Sequence, residues 1–332
     1  MKMTLHRKNG KLAAFAAALV LALASPSVLG AKKSKKDKAV PKGTPVMWRR
    51  HNVESLDLFE GPGGKSERPD LRRLRLLKTE EGGYSPKFRV RDASGREWMA
   101  KLGEEAQSET ASVRLVWAAG YVTEVNYLIP CAHIPGAKPS KKVERCEGDG
   151  FRNVRFEARP KGLKRVGPWK WKQNPFVGMH QLEGLKVMMA LLNNWDLKDS
   201  NNVIIHAPGR NGRGELRYVI SDLGATFGKT GHIPLFWRFA RSRNNPEDYA
   251  ESKFINKVEN GYVDFHFGGK NREMLDKIRV EDARWVGELL ARLSDRQISD
   301  TFRAANYTPE EIQTLTDSVR ARINELVNLG RR

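Results

Sequence analysis

Four short stretches carry side chains that could do chemistry together. In DLKDSNN (Asp196 to Asn202) a carboxylate, Asp196, and a carboxamide, Asn201, stand five positions apart, with Lys198 between them. In SDLG, Asp222 directly precedes Leu223 and Gly224. Lys101 ends the stretch EWMAK, and Glu109 lies in EEAQSETASV just after it. One carboxylate can accept a hydroxyl proton. A second carboxylate and a carboxamide can hold a magnesium ion. A lysine positioned by a glutamate can hold phosphates. Those are the parts that phosphoryl transfer requires, because positioning and charge stabilisation do most of its work. Asp199 competes with Asp196 for the first role, and Asn202 with Asn201 for the carboxamide role.

Each stretch alone has a plainer reading. Asp, Ser and Asn favour turns, a lysine can sit on an edge strand, and a glutamate is favoured in the first turn of any helix. Their order and the elements that carry them give the set its meaning. RRLRLLK, PKFRVRD and REWMAKLG alternate apolar residues as strands do, and DASGR (Asp92 to Arg96) is a hairpin turn between the last two. Lys101 therefore closes a strand. EEAQSETASVRLVWAAG places Val113, Val116 and Trp117 at helical spacing and stops at Gly120. YVTEVNYLIP and FRNVRFEARP again read as strands. From about Pro160 the pattern changes. HQLEGLKVMMALLNNW is a helix with Leu182, Leu185, Met189 and Leu192 on one side, and DLKDSNN follows it directly. NVIIHAPG and LRYVISDLG flank RNGRGE as a hairpin that ends at Asp222. Three amphipathic helices complete the chain, the last opening on Thr308, Pro309 and Glu311 as a capping box does.

On these residues the sequence resembles the protein-kinase-like superfamily. DLKDSN has the spacing of the catalytic loop D-L-x-x-x-N, and SDLG that of D-F-G. GGYSPKF is similar to the Gly-x-x-Pro-Lys segment of HipA-type kinases, and ETASVRLVWAAGY resembles their first-lobe helix, so the HipA-type and phosphoinositide-kinase-type branches are the nearest in character. The resemblance runs from about Leu71 to Phe227. It implies an α+β bilobal fold, with a small β-rich N-terminal lobe containing one helix and a larger, mainly helical C-terminal lobe. It implies Asp196 and Lys198 as catalytic residues and Asn201 and Asp222 as metal ligands. It makes Lys101 the nucleotide-phosphate lysine, Glu109 its partner, and Gly82 and Gly83 part of a turn over the phosphates. ATP and Mg²⁺ are the cofactors it implies. The chain departs from the pattern in lacking G-x-G-x-x-G, in having Asn194-Trp195 before the aspartate, in Leu223 where Phe is usual, and in lacking Ala-Pro-Glu.

The 332 residues carry a net charge of +20, which favours anionic partners without choosing among them. Lys2, Arg7, Lys8 and Lys11 precede the apolar run Leu12 to Ala24, and small residues follow, as in a secretory signal peptide over 1–30. Without those four residues the charge is +16. The organisation expected is a signal peptide over 1–30, a basic flexible leader over 31–69, an N-terminal lobe over 70–160 and a C-terminal lobe over 161–332, with no membrane-spanning segment in the mature chain. The location expected is exported, periplasmic or secreted. Cys131 and Cys146 either clamp a hairpin as a disulfide or remain free thiols.

Several classes are excluded. GPGGKS is not a P-loop, because Phe59 occupies the place of its first glycine, and it reads as a flexible loop. Two cysteines without CxxC give no zinc site. His133, His206 and His232 stand alone, and His180 reads as a helix cap or surface group. No Gly-x-Ser-x-Gly occurs. Trp169 and Trp171 read as packing or as an exposed aromatic surface. No nucleic-acid partner is expected, since no recognition module accompanies the charge. The expected activity is transfer of the γ-phosphoryl group of Mg-ATP to a hydroxyl of a protein, sugar or lipid, with an anionic envelope surface as a further partner. The competing expectation is an inactive kinase-like scaffold of the cell envelope.

Overall fold

A computed structural model describes residues 41–209, 214–231 and 241–330. The segments read as the signal peptide and the start of the leader, the RNGR turn at 210–213, and His232 lie outside the described residues. The chain is mixed α+β, β-rich in its N-terminal part and helical in its C-terminal part.

The first described strand is β1 (Thr44–Val46). A five-stranded antiparallel sheet follows, built from β2 (Arg75–Glu80), β3 (Lys87–Arg91), β4 (Glu97–Lys101), β5 (Asn126–Ala132) and β6 (Phe151–Ala158), in the order β2-β3-β4-β6-β5. One helix, α1 (Glu105–Ala118), interrupts it between β4 and β5. The alternation in PKFRVRD and EWMAK buries Phe88, Val90, Trp98 and Ala100 on one face, where they form a core with Tyr127 and Phe156. The Asp92 carboxylate shapes the β3–β4 turn by accepting from Ser94 Oγ, the Arg96 amide and Trp98 Nε1. β4 occupies the middle of this sheet, which places Lys101 at the end of its most protected strand.

β7 (Lys164–Gly167) leads to α2 (His180–Leu191). β8 (Asn202–Ala207) and β9 (Glu215–Ile220) form the expected hairpin, and with β1 and β7 they make a four-stranded sheet, β1-β9-β8-β7. Next come α3 (Pro246–Glu251) and a three-stranded sheet of β10 (Ile255–Glu259), β11 (Tyr262–Phe265) and β12 (Ile278–Arg279). The end of the chain is α4 (Val280–Ala291), α5 (Asp295–Arg303) and α6 (Pro309–Val327). Ser294 with Gln297 and Thr308 with Glu311 form capping boxes at the starts of α5 and α6. The apolar stripe of α2 packs with those of α4 and α6 in the larger core.

Residues 41–69 differ from the expected flexible leader. β1 pairs in parallel with β9, and Met47, Val53 and Leu58 are buried in the larger core. Their apolar residues follow neither helical nor strand spacing, so the segment is held by burial without a periodic pattern. The GPGGKS stretch is likewise anchored, with Tyr127 Oη donating to the Gly64 carbonyl at 2.6 Å. Trp169 and Trp171 are packing residues: both are buried, their rings lie 4.9 Å apart, and Trp169 Nε1 donates to the Val219 carbonyl. Cys131 and Cys146 are joined as a disulfide across the base of the β5–β6 connection.

Candidate active site

Lys101 is only 7% exposed, and burying an ammonium demands anions. Its Nζ lies 2.9 Å from Glu109 Oε2, 3.0 Å from Glu105 Oε2 and 3.6 Å from Asp222 Oδ1. α1 begins just beyond the strand, so its first two turns present Glu105 and Glu109 back to the end of β4. Glu109 is also held by Arg155, whose Nη2 lies 3.0 Å from Oε1. Arg155 is the cross-strand neighbour of Lys101 on β6. Burial opposes the Lys101 charge, but Glu109, Asp222 and Glu105 together outweigh it and hold the ammonium above the usual lysine range. At Glu109 burial prevails over Arg155 and Lys101 and pushes the carboxyl up. At Glu105 burial is outweighed by Lys101, Ser85 and Arg243, which hold the carboxyl below its ordinary value.

Asp222 follows the last residues of β9. Its side chain is 43% exposed, and its Oδ1 accepts from the Gly224 amide at 3.3 Å. Gly224 is required by close approach: a Cβ there would fall 2.7 Å from that of Glu105. Ser108 Oγ donates to the Gly224 carbonyl, fastening the turn to α1.

The loop after α2 is tied to the same turn, because the Trp195 amide donates to the Ala225 carbonyl. Asp196 Oδ2 lies 2.9 Å from Lys198 Nζ, and Oδ1 lies 2.7 Å from Lys270 Nζ. Asn201 Nδ2 donates to the Asp196 backbone carbonyl at 2.7 Å and to Oδ2 at 3.2 Å. The geometry separates the competing residues. Asp199 accepts from the Trp171 amide, and Asn202 is buried with its Nδ2 on the Trp169 carbonyl, so both serve the fold. The Ser221 amide donates to the Asn201 carbonyl, which sets Asn201 beside the residue preceding Asp222.

Gly82 and Gly83 lie in the β2–β3 connection with φ of +86° and +85°, a conformation that favours glycine. Tyr84 and Ser85 follow, and Ser85 Oγ donates to Glu105 Oε2 at 2.8 Å. Arg243 pairs with the other oxygen of Glu105, and its guanidinium lies 4.4 Å from the Tyr84 ring and 4.7 Å from the Trp195 ring. It therefore ties the glycine-bearing loop, α1 and the loop of Asp196 together. Glu105, Arg155, Arg243 and Lys270 were not among the expected site residues. Glu105 and Glu104 are both carboxylates beside Glu109 in sequence, and only the start of α1 distinguishes them. His180 opens α2 as expected, and its Nδ1 pairs with the buried Asp282.

No protein-family model and no curated protein matches this sequence. Among solved structures, the chain is similar to the Helicobacter pylori proinflammatory kinase CtkA, at 11% identity over 77% of this chain and 97% of that chain, with a TM-score of 0.44. It is also similar to the Rio2 kinase of Chaetomium thermophilum, solved as an ADP/Mg²⁺-phosphoaspartate complex, at 11% identity over 75% and 70% of the two chains, with a TM-score of 0.32. Neither likeness is close enough to assign chemistry to this chain.

Proposed function

We propose that this chain is an atypical kinase of the HipA-type or phosphoinositide-kinase-type character, transferring the γ-phosphoryl group of Mg-ATP to a hydroxyl acceptor between lobes that meet near residue 160. The observation that carries the reading is the meeting of Lys101 with Glu109 at 2.9 Å and Asp222 at 3.6 Å, three residues from a strand end, a helix and the turn after a hairpin. In this reading Lys101, oriented by Glu109, binds the α- and β-phosphates. Gly82 and Gly83 let the backbone approach them. Asp196 orients the acceptor hydroxyl and takes its proton, and Lys198 beside it offsets charge on the transferred group.

Asp222 and Asn201 would hold the magnesium ion. Among the described residues no group of three or more His, Cys, Asp or Glu could hold a metal by itself. A pair consisting of one half-exposed carboxylate and one carboxamide fits an ion that takes most of its ligands from phosphate and water. Bound there, the ion would neutralise charge on the β- and γ-phosphates. The acceptor class remains a hydroxyl of protein, sugar or lipid. Export is part of the same reading and is supported by the disulfide, which persists in oxidising compartments. Among the described residues no helix is long and apolar enough to cross a membrane.

The test is calorimetric titration of the folded protein with ATP and Mg²⁺. Saturable, magnesium-dependent binding is expected, lost in Asp222→Ala and Lys101→Ala. The absence of binding at millimolar ATP would sink the enzyme reading and leave the inactive scaffold.

A further inference from the structure

Strands β2 and β3 carry a basic face. On β3, Phe88 and Val90 point into the core, so Lys87, Arg89 and Arg91 share the opposite face. The register sets further cations directly across from them. Arg75 faces Arg91 and Lys78 faces Arg89 on β2, and Lys101 faces Lys87 on β4. Like charges directly opposite one another destabilise an antiparallel pair. Charged residues protect a sheet edge, and β2 is an edge strand, which accounts for Arg75 and Lys78. β3 lies inside the sheet, so edge protection does not account for its three cations.

The carboxylates on this face do not balance its cations. Glu80 takes Lys78 at 2.8 Å and Arg89 at 3.1 Å, and Glu97 takes Arg91 at 2.6 Å. Arg75, Lys78, Lys87, Arg89 and Arg91 thus share two carboxylates. Counting Glu81 as well, which opens the β2–β3 connection, still leaves a surplus of positive charge. The neighbouring acids are matched by other cations. Lys101 holds Glu105, Glu109 and Asp222, while Glu157 and Glu124 lie among Arg155, Arg159 and Arg165. Lys161 acts on Glu97 and adds a further cation beside this face. Among the described residues Arg75 and Lys87 have no hydrogen bond or ion pair, and the Nε atoms of Arg89 and Arg91 are buried without a hydrogen-bond partner. The face is nevertheless open, with the side chains of Lys78, Arg89 and Arg91 65%, 43% and 42% exposed.

We propose that this face binds linear inorganic polyphosphate, laid along β3. Lys87 to Arg91 span about 14 Å, and the β2 cations lie about 5 Å to the side. That density of cations suits a ligand with a charge on every unit, and guanidiniums match phosphate in two-bond forks. The three β3 cations and their cross-strand partners include one apolar side chain, Met99, and no aromatic one. Nothing among them stacks a nucleic-acid base or seats an acyl chain, so charge alone is recognised. The site adjoins Lys101 and stands without the phosphoryl-transfer reading.

The probe is inorganic polyphosphate, titrated into the folded full chain by calorimetry. The comparisons are orthophosphate, a single unit, and oligothymidylate, whose phosphates are spaced by sugars. Saturable binding is expected, tightest for polyphosphate and weakened about tenfold or more in the double variant Arg89→Gln, Arg91→Gln. The double variant Lys138→Gln, Lys142→Gln removes as much charge from the β5–β6 connection and should leave the affinity nearly unchanged. Arg75→Gln keeps the test valid if the first double variant fails to fold, because Arg75 is exposed. It should weaken binding and, by removing the like charge opposite Arg91, raise the urea midpoint of the ligand-free chain. No binding of polyphosphate, equal weakening in the two double variants, oligothymidylate binding as tightly as polyphosphate, or an unchanged affinity in Arg75→Gln would each overturn the proposal.

Discussion

Asp196 carries a lysine on each carboxylate oxygen, one from its own loop and one from Lys270, which arrives through a parallel bridge between the two residues. Burial pushes the carboxyl up, but Lys270, Lys198 and Asn201 outweigh it and hold the value below the ordinary aspartate range. A carboxylate stabilised in this way is a weak base at rest, and a phosphate entering beside it would compete for the same lysines. A group with a depressed folded value contributes stability above its unfolded value, and that contribution is lost as pH falls through the folded one. In Lys270→Ala the titration of Asp196, followed by carboxyl NMR, should therefore move up toward the ordinary value. The stability lost on acidification should be smaller and its loss complete at a higher pH, because the folded value lies closer to the unfolded one. An unmoved Asp196 titration would show that Lys270 is a bystander.

Among the elements, the disulfide closes the β5–β6 connection at a sequence separation of 15 residues. On the loop-entropy account, closing such a loop is worth about 3 kcal/mol. Replacing both cysteines by serine should lower the urea midpoint by a corresponding amount. The wild-type chain should fall to the same level in reductant, and equal midpoints in all three cases would refute this. The same connection shows what the sequence could and could not reveal. Two strand patterns around a polar loop were legible, while the bond between the cysteines was one of two open alternatives. α1, α2 and the last three helices were legible from apolar spacing and caps. β1 was not, because among the described residues its strand partner is β9, far along the chain. β10 and β11 did carry a local signal, Asn260-Gly261 between strand-forming residues, with φ of 53° and 80° at the turn. In the site, Lys101, Glu109, Asp196 and Asp222 were legible as types in order. Arg155, Arg243 and Lys270 were not, since each arrives by strand pairing or a long-range contact that no local pattern encodes. Asp199 and Asn202 resembled site residues until the turn directed them to the Trp171 amide and the Trp169 carbonyl.

Across the whole molecule, a chain of charges, with its glutamates and Arg155 buried, links the sheet to the segment that leads into the helical part. Arg155 joins Glu109 to Glu157 at 3.0 and 2.7 Å, Arg159 and Arg165 bridge Glu157 and Glu124, and Ser221 Oγ donates to Glu124 at 3.0 Å, one residue before Asp222. The two glutamates respond oppositely. At Glu157 the arginines Arg159, Arg155 and Arg165 outweigh burial and hold the carboxyl well below its ordinary value. At Glu124 burial, aided by the Glu157 charge, wins over Arg165 and Arg159 and pushes the carboxyl up to about 7. The folded chain therefore binds the Glu124 proton more tightly than the unfolded chain, whose value is near 4.3. The stability tied to that proton is complete below the unfolded value and is lost as pH rises through about 7. A displacement of this size corresponds to at most about 4 kcal/mol. The Glu157 contribution is untouched in this window, because it is lost only in stronger acid. Urea unfolding between pH 5 and 8 should thus show wild-type stability declining relative to Glu124→Gln, which cannot ionise. Parallel pH profiles for the two proteins would mean that Glu124 is already charged at pH 5 and that the arginines, rather than burial, govern the network.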